Sequence, residues 1–175
     1  MKKIAVLLAN GCEELEALTP VDILRRAEGV VCDTFTIDGE SVTGSHKIVI
    51  KGDKSIKELD IGGYDGIIIP GGMPGATNIA NCVEAEKAIK KALDNGKLVA
   101  AICASPAVVL ASKGLIDGKN ATCYPAPVFI DMMKPCNMTG ADVEIDGNII
   151  TANGPKSAFK FALAICDYLG VTPKF

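Results

Sequence analysis

The feature that most constrains this chain is a set of short, unbroken apolar runs separated by stretches of helical periodicity. Lys3–Ala9 (KIAVLLA), Tyr64–Pro70 (YDGIIIP) and Leu98–Cys103 (LVAAIC) show almost no polar alternation. Such runs predict strands covered on both faces, as in a parallel sheet between helices. None approaches the ~18–20 apolar residues of a membrane span. Glu14–Glu28, Thr77–Asn95, Ser105–Lys113 and Lys156–Leu169 read as helices. In the first, Leu15, Leu18, Val21 and Leu24 recur at helical spacing, and Pro20 predicts a kink or a late start. In the last, Phe159, Leu163 and Cys166 mark one face. Cys32–Ile37, short strands within Val42–Lys51, Asn120–Tyr124 and a hairpin over Val143–Ala152 turning at Asp146-Gly147 complete the pattern. Strands alternating with helices predict one α/β domain over residues 1–175 with a mostly parallel central sheet.

Composition narrows the function. With 175 residues and 49% hydrophobic content, the chain can bury one substantial core. Its mean hydropathy of +0.30 fits thickly covered strands. Eighteen basic against 21 acidic residues give a net charge of -3, which argues against a nucleic-acid footprint and a polybasic membrane anchor. The opening Met-Lys-Lys-Ile-Ala-Val-Leu-Leu-Ala superficially resembles a signal peptide. Its short apolar run flows directly into Glu13, Glu14 and Glu16, so it reads as a first strand in a cytoplasmic protein. The one histidine, His46, cannot build a His-rich metal site within one subunit. The seven cysteines are odd in number and include no Cys-x-x-Cys pair, which argues against a disulfide scaffold, a zinc ribbon or a thioredoxin-type site. No metal or cofactor is implied.

In an open α/β sheet, ligands bind at the carboxyl ends of strands. That rule selects Asn10–Glu16, Gly71–Gly75 and Cys103–Pro106. Cys103 ends an apolar strand and a helix follows almost at once, the geometry of a nucleophile elbow. The N–H groups and positive dipole end of that helix would favour the thiolate and lower its pKa. The alternative is a small apolar filler, since the elbow's usual flanking glycines are missing. Gly71 and Gly72 allow backbone N–H groups to approach a reacting oxygen, and with the Ala104 N–H they would form an oxyanion hole. A phosphate cradle or a plain glycine turn are the competing readings. The carboxylates of Glu13, Glu14 and Glu16 suit a helix N-terminus, and one of them would face Cys103. Spacing does not choose which. His46, in a polar Ser45-His46-Lys47 segment, reads as a surface residue. The other cysteines read as structural thiols, with Cys123 singled out for lying beside Tyr124.

Together, Gly11-Cys12-Glu13-Glu14-Leu15-Glu16, Pro20-Val21-Asp22, Pro70-Gly71-Gly72, Ala100–Pro106 and Gly154-Pro155 followed by Phe159–Ala164 resemble the ThiJ/PfpI superfamily, in the branch of the Parkinson-disease-associated protein deglycase. The resemblance implies a flavodoxin-like three-layer sandwich, with helices on both faces of the sheet, and a homodimer. It implies that Cys103 is the nucleophile and that Glu16 is a protonated carboxyl beside the sulfur. It implies that Gly72 and Ala104 line an oxyanion hole, with Gly71 in support. The activity implied is cysteine-dependent chemistry on small reactive carbonyls or glycated adducts, as a glutathione-independent glyoxalase or a protein deglycase of hydrolase or lyase type. The alternative is an oxidative-stress redox sensor or chaperone acting through a cysteine sulfinate. A binding module with inert cysteines is weaker, and intracellular peptidase chemistry weaker still.

Several departures bear on mechanism. The family's histidine position holds Tyr124, and the histidine that protease-like members place after the cysteine is replaced by Ala104. A Cys–His pair is therefore absent on both patterns. Glu16 would move the protons if its pKa were poised near neutrality, with Asp22 assisting and Tyr124 donating a hydrogen bond. His46 falls where relatives carry an arginine that reaches across the dimer, so a histidine supplied in trans is an expectation. Asn153 replaces an arginine before Gly154-Pro155. The chain ends soon after its last helix, which would leave the pocket rim more open.

Overall fold

The computed structural model describes residues 1–175. Its elements run β1 (Lys2–Leu8), α1 (Glu14–Arg25), β2 (Val30–Thr36), β3 (Ser41–Thr43), β4 (Val49–Lys51), β5 (Lys54–Ser55), β6 (Gly66–Ile69), α2 (Gly75–Ala80), α3 (Val83–Asp94), β7 (Leu98–Ile102), β8 (Asn120–Ala121), α4 (Pro127–Met132), β9 (Asn137–Met138), β10 (Val143–Asp146), β11 (Ile149–Ala152) and α5 (Ala158–Leu169). Seven strands form one sheet in the order β10-β11-β7-β6-β1-β2-β5. Only the β10–β11 hairpin is antiparallel. The α/β class and the mostly parallel, flavodoxin-like sheet agree with the sequence reading.

The apolar runs are unbroken because each strand feeds two cores. In β1, Ile4 and Val6 face α1 and α5, packing with Val21, Leu24, Phe161 and Ile165. Ala5 and Leu7 face the opposite layer with Ile79, Ile89 and Leu110. Chain order reverses about β1: β2 lies on one side and β6 on the other. The loops after β1 and β6 therefore leave from the switch point of the sheet, where such folds open a crevice.

Local differences from the sequence reading have physical causes. Helix α1 starts at Glu14 with Pro20 buried inside it, not after the proline. Leu15 and Leu18 point outward, while Glu14, Glu16, Ala17, Val21 and Leu24 are buried. Apolar spacing misjudged that face because two carboxylates on it find N–H partners inside the protein. Phe159 is likewise exposed, while α5 buries Cys166 as expected, together with Phe161, Ile165 and Leu169. The expected helix over 77–95 is broken into α2 and α3 around Asn81 and Cys82. The stretch over 105–113 is a π turn, Pro106–Leu110, followed by a 3-10 turn, Ala111–Lys113. Lys47 adopts a φ of 68° in the β3–β4 turn, so the strand there starts only at Val49. The strand expected over 120–124 is confined to β8, which pairs with β9 outside the main sheet. Helix α4 was not anticipated.

Candidate active site

Three strand ends converge at the switch point. Cys103 follows β7 with a φ of 65°, in the left-handed region that non-glycine residues seldom occupy. The surroundings hold it there. Its N–H donates to the Ala152 carbonyl at 2.8 Å, and its carbonyl accepts from the Tyr124 N–H at 2.8 Å. Ser105, fully buried, donates its hydroxyl to the Pro70 carbonyl at 2.5 Å and fastens the turn to the end of β6. The N–H groups of Gly72 and Ala104 lie near the Cys103 sulfur and favour its charged form.

Glu16 is the carboxylate that reaches Cys103. It is fully buried, its Oε2 accepts the Gly71 N–H at 2.9 Å, and its side chain interacts with that of Cys103. Its Oε1 is buried with no hydrogen-bond partner, a free polar atom inside the site. The fit leaves no room for a side chain on Gly71. A Cβ there would lie 2.6 Å from both Cys103 Cβ and Glu16 Oε2. Gly72, at φ +84°, would place a Cβ 2.4 Å from the Glu13 nitrogen.

The proton affinities differ from the expected thiolate. Burial pushes the Cys103 thiol up to about 12, and the negative charge of Glu16 adds to this against the Gly72 and Ala104 N–H groups. The helix end is a weak counterweight. Only a π turn follows, and Pro106 brings no N–H. Burial also raises the Glu16 carboxyl to about 7, with the nearby charge of Glu13 acting in the same direction. The two side chains form a coupled unit in which Glu16 is the first group to lose its proton near neutrality.

The remaining candidates lie at varying distance from this pair. The Tyr124 ring packs over Gly154, whose Cβ would lie 3.2 Å from Tyr124 Cδ2, so it borders the elbow to which its backbone is bonded. Asn153, beside it, is held by Asp142 and Ser157. His46 is not at Cys103 in its own chain. Its Nδ1 lies 2.8 Å from Glu14 Oε2, and its backbone N–H donates to Glu14 Oε1 at 2.7 Å. Burial works against ionised Glu14, but these contacts and the Ile48 N–H bring its carboxyl down to about 2. Asp22 sits on the outer face of α1 in an exposed ion pair with Arg26 and does not join the cluster. All seven cysteines are free, and Cys123 is buried with its thiol turned to the Tyr124 carbonyl.

Glu13 had no separate role in the sequence reading. It is the N-cap of α1, and its Oε2 accepts the Glu16 N–H at 2.9 Å. The signal lay in the spacing, because an acceptor at the N-cap takes the N–H three residues on.

Residues 2–168 match the DJ-1/PfpI family. Protein DJ-1 homolog B of Arabidopsis thaliana is 36% identical over 169 residues, 96% of this chain and 38% of that protein. The chain thus spans well under half of that relative's length. The Parkinson disease protein 7 homolog of Danio rerio is 35% identical over 176 residues, 96% of this chain and 89% of that one. Among solved structures, oxidized Toxoplasma gondii DJ-1 superposes with a TM-score of 0.89 at 39% identity, covering 97% of this chain and 91% of that one. Drosophila melanogaster DJ-1beta gives the same TM-score at 33% identity, over 96% of this chain and 90% of its own. On the family match over residues 2–168 and the 35% identity to a relative covered over most of its length, the chain belongs to the DJ-1/PfpI family.

Proposed function

We propose that this protein, as one ThiJ/PfpI-like domain over residues 1–175, is a cysteine-dependent enzyme acting on small α-oxoaldehydes or their adducts with amines and thiols. The observation that carries this reading is the convergence on one sulfur of two backbone N–H groups and one buried carboxyl of near-neutral pKa. Glu16, ionised in part at neutral pH, takes the Cys103 proton as the sulfur adds to the aldehyde carbon. The carbonyl oxygen becomes an oxyanion that accepts from Gly72 and Ala104, then takes the proton back from Glu16, giving a hemithioacetal and a Glu16 carboxylate again. Glu16 next removes the hydrogen on the former aldehyde carbon as a proton, leaving an enediolate, and returns it to the neighbouring carbon while the hydroxyl proton passes from the first oxygen to the second. The product is a 2-hydroxyacyl thioester, and water releases the hydroxy acid and the free thiol. No external oxidant is needed, because one carbon is oxidised as its neighbour is reduced. For methylglyoxal the product is lactate. Nothing in this sequence of steps requires the missing histidine.

The test is turnover of methylglyoxal by the wild type, Cys103→Ser and Glu16→Gln. Loss of lactate formation in both variants supports the reading, and near-wild-type turnover in Cys103→Ser removes it. A second reading is a redox sensor in which oxidation converts the sulfur to a sulfinate. It is favoured by the unpartnered Glu16 Oε1, which in its protonated form would donate to a sulfinate oxygen, and by the similarity to a DJ-1 structure described as oxidized. Mass spectrometry after mild peroxide should then find oxidation concentrated on Cys103. Scatter over all seven cysteines would count against it.

The protein acts, in this proposal, as a cytoplasmic homodimer. Leu18, Phe159 and Phe175 share an open groove between α1 and α5, with the two phenyl rings 6.0 Å apart. Leu15, Ile48 and Val49 add exposed apolar surface around the N-terminal end of α1. A patch of this kind suits a protein partner. No helix is long and apolar enough to cross a membrane.

A further inference from the structure

Glu13 touches three parts of the site at once. Its Oε2 accepts the Glu16 N–H at 2.9 Å. Its own N–H donates to the Gly71 carbonyl at 3.0 Å, the residue whose amide in turn binds Glu16. Its Oε1 lies 3.6 Å from His46 Nδ1 on the β3–β4 turn. The residue is almost entirely buried. The titratable groups around Glu13 are Glu14 and Glu16 from α1, His46 from the turn and Cys12 from the preceding loop, and Glu16 in turn faces Cys103 from the elbow. His46 is the one cationic side chain paired with Glu13 or Glu14.

This arrangement is more than a helix cap. A neutral acceptor would satisfy the Glu16 amide equally well. A carboxylate adds a negative charge beside a buried carboxyl, which makes loss of a second proton harder. We propose that Glu13 is a positioning residue for the Glu16–Cys103 pair: it fixes the Glu16 backbone against the β6 loop and, as a charge held between His46 and Glu16, sets the pH at which Glu16 begins to act as a base. The inference rests on the reading of Glu16 as the base for Cys103.

The test follows alkylation of Cys103 by iodoacetamide against pH, read by mass spectrometry of the Cys103 peptide in the full chain. The rate should rise as Glu16 ionises and accepts the thiol proton, and Glu16→Gln should lose that inflection. Glu13→Gln keeps an oxygen for the Glu16 amide and loses the charge. Its inflection should move to lower pH by about half a unit or more. Glu13→Asp keeps both charge and acceptor, and its inflection should stay with the wild type. His46→Gln leaves the cap intact and removes the opposing cation, so its inflection should move upward. It also keeps the inference testable if Glu13→Gln does not fold. An effect in Glu16→Gln with none in Glu13→Gln or His46→Gln overturns the role of Glu13 alone. A profile unchanged in every variant, Glu16→Gln included, overturns the reading of Glu16 and this inference with it.

Discussion

The Gly71 amide donates to Glu16 Oε2 at 2.9 Å and thereby joins the end of β6 to the first turn of α1 across the switch point of the sheet. The same glycine's carbonyl accepts the Glu13 N–H at 3.0 Å. Main-chain contacts, not flexible side chains, therefore set how far the carboxyl stands from Cys103. A base must lie within hydrogen-bond reach of the proton it takes, and an error of 1 Å is costly, on the order of 10²-fold in rate.

Gly71→Ala tests that relationship directly. The new methyl would meet Cys103 Cβ and Glu16 Oε2, each at 2.6 Å, and the Ile102 carbonyl oxygen at 2.7 Å. None of these sits on a flexible surface chain. Methylglyoxal turnover should fall by about 10²-fold. Overpacking should lower stability by about 1–3 kcal/mol. Gly63→Ala is the control, because a Cβ there meets nothing within 4 Å. It should stay within about 0.5 kcal/mol of the wild type in urea melts. Equal behaviour of the two variants would show that the approach at Gly71 is not what positions Glu16.

The sheet was legible in the sequence because strands buried on both faces leave a pattern that little else produces. Lys3–Ala9 and Leu98–Cys103 fall within a residue or two of β1 and β7. The elbow was legible for the same reason: an apolar run that stops at Cys103 and meets Pro106 must turn sharply. Less was readable where polar groups are buried. Helix α1 turns Glu14 and Glu16 inward and Leu15 outward, against any hydrophobic rule, because N–H groups far away in sequence satisfy the carboxylates. Residue spacing alone did not select Glu16 among the three carboxylates; the family resemblance did. The direction of the Cys103 pKa also escaped the sequence. It depends on how deeply the sulfur is buried and on how near Glu16 lies, and both are tertiary quantities.

Glu14 should behave as a structural anchor, distinct from its neighbour Glu16. Its carboxylate takes backbone N–H groups from His46 and Ile48 and the His46 ring, so it pins the β3–β4 turn to α1. Glu14→Ala leaves these donors without a partner and should cost about 1–3 kcal/mol. Amide exchange at His46 and Ile48 should accelerate most, with the sheet amides of β1 little changed. A uniform loss of protection across the chain would instead mark Glu14 as a determinant of global folding. Its lowered pKa of about 2 has its own signature. The stabilisation is present above the ordinary carboxylate range and is lost as the pH falls through that folded value.

The groove between α1 and α5 should be the dimer contact. Phe175 lies against Phe159 and beneath Arg26, whose guanidinium carbon is 5.6 Å from the ring centroid, and Lys174 pairs with Glu28. The C-terminal residues are thus folded back to form one wall. Phe159→Asp places a charge at the centre of this apolar surface. If the groove is a dimer contact, dissociation should strengthen by about 30-fold or more, the effect of losing a central anchor. Sedimentation equilibrium reads this directly. A monomeric wild type, or a dimer indifferent to Phe159→Asp, would exclude the groove as the interface.

Glu16 should make the protein less stable as the pH rises through neutrality. Its carboxyl titrates near about 7 in the folded chain, raised by burial, against an ordinary value of 4.5. Below the ordinary value both folded and unfolded chains hold the proton, and the group has no effect on their balance. Between the two values the unfolded chain gives up the proton while the folded chain keeps it. Folded protein then binds more protons, so stability declines with each step up in pH until the folded carboxyl ionises as well. The loss is on the order of 3 kcal/mol and persists above the window. Glu16→Gln keeps an acceptor for the Gly71 N–H and has nothing to ionise. Its urea midpoint should therefore exceed that of the wild type at pH 8 and converge with it toward pH 4, while methylglyoxal turnover is lost. If the variant is instead destabilised equally at both pH values, Glu16 titrates alike in folded and unfolded chains and lacks the near-neutral proton on which its role as a base depends.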